Sequence, residues 1–144
     1  MNFLNESAKA DKYPKKYLNI LIDNADLDYR YMYEYYNSYY ASIYGGYVWN
    51  GFYDFIESYY GQTRSEYEDQ LETDMKEKLA YYMTIQYIFE DMGLEMSDEA
   101  IKEAYGYDDE DFAEAMEIYG RGDMARSAME RMVIDALSDS IVLE

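Results

Sequence analysis

The sequence of 144 residues contains no cysteine and no histidine, and it has a single proline. Without cysteine and histidine the chain can form no disulfide, no thiolate nucleophile, no Ser-His-Asp arrangement and no zinc site of the usual type. Asp and Glu could still bind Ca²⁺ or Mg²⁺, because both ions prefer oxygen ligands.

Long apolar runs are also missing. No segment approaches about 18 uninterrupted apolar residues, so the sequence predicts no membrane-spanning helix. The first fifteen residues lack the charged and then apolar pattern of a secretory signal. We therefore expect a soluble, cytoplasmic chain, or an extracytoplasmic one from which a signal has been removed.

Basic residues are scarce. The chain has 12 Lys and Arg against 31 Asp and Glu, which gives a formal net charge of −19. Binding to phosphate groups depends on Lys and Arg, and the negative charge opposes the approach of a nucleic acid. We therefore predict that neither nucleic acid nor an anionic membrane is a partner. The acids concentrate in residues 61–144, which contain 23 acids and 7 bases.

Valine occurs only three times, and no run of alternating β-branched residues is present. The sequence therefore predicts an all-α protein. Long helices are expected over about residues 14–44 and 64–92, with a short aromatic helix over 51–60. The letters NADLD at 24–28 are typical of helix caps and favour a break in the first long helix.

Capping residues define the remaining helices. Thr63 and Glu66 match the capping box, in which a hydroxyl and a carboxylate satisfy backbone N–H groups reciprocally. Two short helices are expected over about 97–105 and 108–119, each followed by a glycine. The last helix is expected to begin near Asp123 and to continue over about 124–142.

The last predicted helix has the clearest amphipathic pattern in the chain. Its apolar residues follow the i, i+3, i+4, i+7 spacing of a helix with one buried face. We therefore expect four of its larger side chains to be buried: Met129, Met132, Val133 and Leu137.

The acidic run DDED at 108–111 invites comparison with a calcium-binding loop. The sixth residue of an EF-hand loop is glycine, but the residue at that position here is Ala113. Acids in the first turn of a helix, where the dipole favours them, are the better interpretation. Paired carboxylates arise by chance among 31 acids. We predict no metal site, no cofactor and no enzymatic activity.

Tyrosine and methionine are abundant, with 21 and 10 copies, and fourteen of the tyrosines lie between residues 13 and 60. Core packing is the ordinary use of either residue. Both are also typical of surfaces that accept varied partners, because tyrosine tolerates water and methionine is flexible. We predict that one concave face binds apolar segments, and that about half of its residues also serve the core: Tyr36, Tyr39, Tyr40, Trp49, Phe52 and Phe55.

Two segments have a specific pattern. Residues 61–71 read GQTRSEYEDQL, and residues 93–101 read GLEMSDEAI. They resemble the "T-x-x-E-[FY]-x-x-Q-L" and "G-[IL]-x-[VM]-[ST]-[DE]-E-x-[IL]" patterns of the C-terminal domain of trigger factor, the ribosome-associated chaperone. Together with KYP at 12–14, which resembles the start of that domain in clostridial-like members, the likeness covers about residues 9–142. The N-terminal domain of parvulin-type chaperones is similar to the same pattern.

The resemblance implies an all-α chaperone domain over residues 13–144, with protruding arms around a small helical body and a flexible segment over 1–12. It also implies a cradle that shields unfolded or nascent polypeptides without ATP. The family's ribosome-docking loop and prolyl isomerase domain are missing from this sequence, so ribosome binding and isomerase activity are not expected of it. We expect either a piece of a longer protein or a stand-alone paralogue.

Two alternatives to a chaperone stay open. The aromatic face could pair with a second copy of the chain, which would make the protein a dimerisation module. The acidic body could instead mimic nucleic acid and act as a decoy for a basic protein.

Overall fold

A computed structural model describes residues 14–141 of the chain. The segment 1–12, expected to be flexible, lies outside the described residues. Within residues 14–141 the chain forms six α-helices and one π-helical segment, and no strand occurs there. This confirms the prediction of an all-α fold.

The helices, in chain order, are α1 Lys15–Tyr44, α2 Phe52–Phe55 with its π-helical continuation Ile56–Tyr60, α3 Arg64–Asp91, α4 Asp98–Tyr105, α5 Asp109–Tyr119 and α6 Arg121–Ile141. These bounds agree with the predicted ones to within about three residues. None of the helices in the described part of the chain is long and apolar enough to cross a membrane.

The chain divides into two compact units, and the division falls between Tyr81 and Tyr82, inside α3. We call them the N-terminal unit and the C-terminal unit.

The predicted capping box starts α3. The Thr63 N–H donates to Oε2 of Glu66 at 2.8 Å, and the Glu66 N–H donates to Oγ1 of Thr63 at 3.3 Å. The bonds that the Glu66 carboxylate accepts from the backbone and the hydroxyl of Thr63 lower the pKa of Glu66.

The acidic run at 108–111 caps α5. Oδ1 of Asp108 accepts from the backbone N–H groups of Glu110 and Asp111, each at 2.9 Å. Ser97 caps α4 in the same way, since its Oγ accepts from the Ala100 N–H at 3.0 Å. No group of three or more acidic side chains in residues 14–141 is arranged to hold a metal ion.

The predicted break at 24–28 is wrong, because α1 runs without interruption over 30 residues. The side chain of Asp26 is used elsewhere. It pairs with Nε of Arg30 at 2.6 Å and accepts from the Tyr67 hydroxyl of α3 at 2.9 Å. A residue type that often caps helices therefore links α1 to α3 here.

The core of the N-terminal unit is built mainly of rings. Its buried members come from the loop before α2, from α2 with its π-helical continuation, and from the first turns of α3: Trp49, Phe52, Phe55, Ile56, Tyr67 and Leu71. Half-buried side chains of α1 pack against them, including Tyr29, Tyr33, Tyr36 and Tyr40. One side of α1 is thereby fixed against the core.

The core of the C-terminal unit contains Ile101, Ala115, Met124 and Ala128. Val133 of α6 is fully buried, as predicted. The other three residues expected to be buried, Met129, Met132 and Leu137, are only half-buried. The apolar spacing correctly predicted that α6 has a buried face. The residues of α6 that pack against α4 and α5 are Met124 and Ala128, and the three larger side chains lie beside them.

Candidate functional site

Six tyrosine rings contact one another on the outer side of α1 and at the end of the π-helical segment. We call this surface the tyrosine face: Tyr35, Tyr36, Tyr39, Tyr40, Tyr44 and Tyr59. Residues four apart on a helix lie one above the other. The α1 members therefore form two parallel rows, one of Tyr35 and Tyr39 and one of Tyr36, Tyr40 and Tyr44.

Rings stack along both rows. Tyr35 and Tyr39 have centroids 6.5 Å apart, and Tyr40 and Tyr44 have centroids 6.0 Å apart. Edge-to-face contacts join the rows, with 5.4 Å between the centroids of Tyr39 and Tyr40. Such contacts are favourable arrangements for aromatic pairs, so the rings support one another's positions.

The face is open to solvent. Tyr35 is 66% exposed, Tyr39 51%, Tyr44 73% and Tyr59 49%, whereas Tyr36 and Tyr40 are half-buried. Contiguous exposed apolar surface of this kind is typical of binding sites on monomeric proteins.

Charge is nearly absent from this part of the chain. Residues 31–53 contain one charged side chain, Glu34, although the whole chain has a net charge of −19. The position of Glu34 on α1 is roughly opposite that of Tyr36. No carboxylate from residues 31–53 therefore interrupts the face.

The exposed rings rest on buried ones. Tyr59 stacks on Phe55 with 5.2 Å between centroids, and Tyr40 and Trp49 make an edge-to-face contact with 5.7 Å between centroids. Phe55 is fully buried and Trp49 is 9% exposed. The tyrosine face is thus supported from below by the core of the N-terminal unit.

Asn37 fixes the loop that supplies Trp49. Its Nδ2 donates to the Trp49 carbonyl oxygen at 3.3 Å and to the Tyr33 hydroxyl oxygen at 3.2 Å. Its Oδ1 accepts from the N–H groups of Val48 and Trp49, at 3.2 and 3.3 Å. One buried amide therefore determines where Trp49 lies beneath Tyr40.

The hydroxyl of Tyr59, in the face, and that of its neighbour Tyr60 both have a raised pKa. A hydrogen bond with Tyr36 raises the pKa of Tyr59. Partial burial, followed by the neighbouring Tyr29, raises the pKa of Tyr60. Both shifts move the ionisation of these two hydroxyls further from neutral pH.

The six predicted site residues belong to one aromatic cluster but do not form one surface. Tyr36, Tyr39 and Tyr40 are part of the tyrosine face, whereas Trp49, Phe52 and Phe55 are buried. Trp49 and Phe55 lie directly beneath the face.

Phe52 points to a different set of rings. It contacts Tyr33 at 6.1 Å and Tyr67 at 5.6 Å, and the Arg30 guanidinium lies 4.3 Å from its centroid. The sequence reasoning also missed Tyr35, Tyr44 and Tyr59. The i, i+4 spacing from Tyr39 and Tyr40 was the signal that could have identified the first two.

Comparison with protein-family models, curated proteins and solved structures finds no match to this chain. Two features of the chain point to a function, the geometry of the tyrosine face and the two sequence segments at 61–71 and 93–101.

Proposed function

We propose that the chain is a chaperone domain that binds unfolded or nascent polypeptides through the tyrosine face, without ATP and without chemical turnover. The observation that supports this is one surface of contiguous, exposed, uncharged rings on a chain of net charge −19.

The chemistry of the face suits clients of varied sequence. Tyrosine presents a large apolar ring and loses little rotamer entropy when it is covered. Two exposed apolar side chains lie one helical turn from rings of the face, Met32 at 38% and Ile43 at 53% exposure,. Methionine adapts to irregular partners. We expect affinity to be shared among many weak contacts rather than concentrated in one residue.

Net charge supports the same function. The charge of −19 makes copies of the chain repel one another,. Such repulsion opposes association through the tyrosine face and leaves that face available to other chains. The resemblance to trigger factor at 61–71 and 93–101 points in the same direction, and a cytoplasmic location is part of the same proposal.

The test is suppression of aggregation when a denatured client is diluted into buffer. The double variant Tyr35→Ser, Tyr39→Ser removes one row of the face. The matched control, Tyr17→Ser, Tyr87→Ser, removes two tyrosines of similar exposure, 55% and 68%, that lie outside the face. Circular dichroism checks whether both variants retain the helical signal of the wild type.

We expect the face variant to lose most of the suppression and the control to retain it. Equal suppression by wild type and face variant would remove the tyrosine face from the mechanism. Replacement of the same two residues by phenylalanine keeps the rings and removes the hydroxyls. We expect this variant to suppress aggregation as the wild type does.

The alternative function, a homodimer formed through the same face, predicts a different result. Light scattering would then show a mass that rises with protein concentration in the wild type but not in the face variant. A dimer of this kind without any effect on client aggregation would favour the alternative.

A further inference from the structure

The C-terminal unit contains a second aromatic site, independent of the tyrosine face. It is a cleft of about 240 Å³, lined by Tyr105, Tyr107, Tyr119, Asp123, Met124 and Ser127. Three tyrosines, one aspartate and a methionine thus line one open cleft.

The turn between α4 and α5 places two of the rings. Gly106 follows α4 with φ of 70°, a conformation that glycine adopts without strain,. The Tyr107 N–H then donates to the Lys102 carbonyl oxygen at 3.1 Å. This tight turn stacks the Tyr107 ring on Tyr105, with 5.2 Å between centroids and 14° between planes.

The stack already binds one cation of the chain. The guanidinium carbon of Arg131 lies 4.8 Å from the Tyr105 centroid, and the same side chain donates to the Ala104 carbonyl oxygen at 3.1 Å. A cation over an aromatic face is attracted by the quadrupole of the ring. Tyr107 lines the cleft together with Tyr119, whose ring is 63% exposed.

The surrounding charge favours a further cation. Residues 82–144 contain 17 acidic and 4 basic side chains. Each of the four basic side chains has a contact within the unit: Lys102 with Asp109, Arg121 with Asp98, Arg126 with Asp123, and Arg131 with Ala104.

Asp123 supplies the carboxylate of the cleft. Its contact with Arg126 is 3.1 Å long, and the side chains of Asp123 and Arg126 are 65% and 39% exposed. Exposed pairs of this kind are weak, because water screens them. A cation in the cleft can therefore share or take over this carboxylate.

We propose that the cleft binds a methylated ammonium group, such as the side chain of trimethyllysine or the head of choline. Rings together with a carboxylate are the arrangement that recognises quaternary ammonium ions. A methylated ammonium has an apolar surface that fits Met124, which forms the buried side of the cleft at 2% exposure. A primary ammonium is compact and strongly hydrated, and it gains less from such surroundings.

The experiment is an NMR titration of the full chain with four probes. They are a short peptide with one trimethyllysine, the same peptide with unmodified lysine, the same peptide with carbon in place of the quaternary nitrogen, and free choline. We expect the trimethyllysine peptide and choline to shift the signals of the cleft, with the lysine and neutral peptides at least about fivefold weaker. Binding of choline as tight as that of the peptide identifies a small molecule as the ligand, and tighter peptide binding identifies a modified chain.

Variants locate the binding. Tyr119→Leu and Asp123→Asn should each weaken binding of the trimethyllysine peptide by about fivefold or more, and Arg126→Gln should strengthen it because it releases the carboxylate. Tyr87→Leu, an exposed tyrosine elsewhere in the unit, should leave binding unchanged.

Two outcomes would overturn the proposal. Equal binding of the neutral peptide would make the cleft a merely apolar site, and equal binding of the lysine peptide would reduce it to an ion pair. A similar loss in Tyr87→Leu would show that binding is not confined to the cleft. Client binding by the tyrosine face can fail without changing any of these results.

Discussion

The side-chain amide of Asn37 binds both backbone polar groups of Trp49. Its nitrogen donates to the Trp49 carbonyl oxygen and its oxygen accepts from the Trp49 N–H, each at 3.3 Å. Asn37 is only 6% exposed, and it is the one buried polar residue among those the structure describes. It is therefore the contact that joins α1, the loop after it and the ring beneath the tyrosine face.

Asn37→Ala should lower the free energy of unfolding by about 1–3 kcal/mol, the cost of leaving buried backbone groups without partners. Trp49 is the only tryptophan of the chain, so its fluorescence during denaturant unfolding reports on this core. Ser38→Ala, at the exposed neighbouring position, should change the free energy of unfolding by less than about 0.5 kcal/mol,. Equal effects of the two substitutions would show that the amide network adds nothing to stability.

The helix bounds were predicted correctly because short-range sequence patterns determine them. The capping box at Thr63 and Glu66 spans three residues, and glycines mark the ends of several helices. The start of α3 and the end of α1 therefore agree with the predicted bounds. The role of Asn37 was not visible, because it depends on Trp49, which lies twelve residues away across a turn.

The same limit applies to the candidate site. The tyrosine count predicted an aromatic face, but not which rings would be covered by the core. Asp26 illustrates the reason: its contact with Tyr67 joins residues 41 positions apart, and no helix-cap pattern predicts such a contact. Exposure of Tyr35 and burial of Phe55 follow from how α1 meets α2, which only the folded structure shows.

Two isoleucines on neighbouring helices test the core of the C-terminal unit. Ile101 on α4 is fully buried, whereas Ile118 on α5 is 63% exposed. Ile101→Ala should lower the free energy of unfolding by about 2–5 kcal/mol, since it removes buried methyl groups and leaves a cavity. Ile118→Ala should cost less than about 0.5 kcal/mol. Circular dichroism during denaturant unfolding measures the free energy of unfolding of both variants. A small effect of Ile101→Ala would contradict the burial of Ile101 in the core of the C-terminal unit.

Glu66 should make the stability of α3 dependent on pH in the acidic range. Hydrogen bonds from Thr63 lower the pKa of Glu66 in the folded state. Its contribution is therefore present above the ordinary glutamate pKa of about 4.3 and is lost as pH falls through the lower folded value. The difference in unfolding free energy between wild type and Glu66→Ala should shrink as pH falls from about 7 to about 3.

Glu77→Ala is the control for this titration, because it removes the same charge from an exposed position on the same helix. Its difference from wild type should vary less with pH than that of Glu66→Ala. If the two variants followed the same pH dependence, overall charge rather than the capping box would be responsible.

Tyr67 should make the stability of the fold depend on pH in the alkaline range, where stability is lost as pH rises. Its ring is 3% exposed and its hydroxyl donates to Oδ1 of Asp26 at 2.9 Å. Burial, followed by the hydrogen bond to this carboxylate, raises the pKa of Tyr67 well above its ordinary value. A group with a raised folded pKa stabilises the fold below its unfolded pKa of about 10, and this stability is lost as pH rises above that value.

Tyr67→Phe keeps the ring and removes the titration. Near neutral pH it should cost about 1.5–3 kcal/mol, the usual contribution of a hydrogen bond to a charged group. As pH rises from about 9 to about 11, wild type should lose stability faster than the variant, so the two unfolding free energies should converge. Tyr87→Phe, at a position 68% exposed, is the control for loss of a tyrosine hydroxyl. Parallel curves for wild type and Tyr67→Phe would mean that Tyr67 ionises equally readily in both states, against the burial and the Asp26 contact that the structure assigns to it.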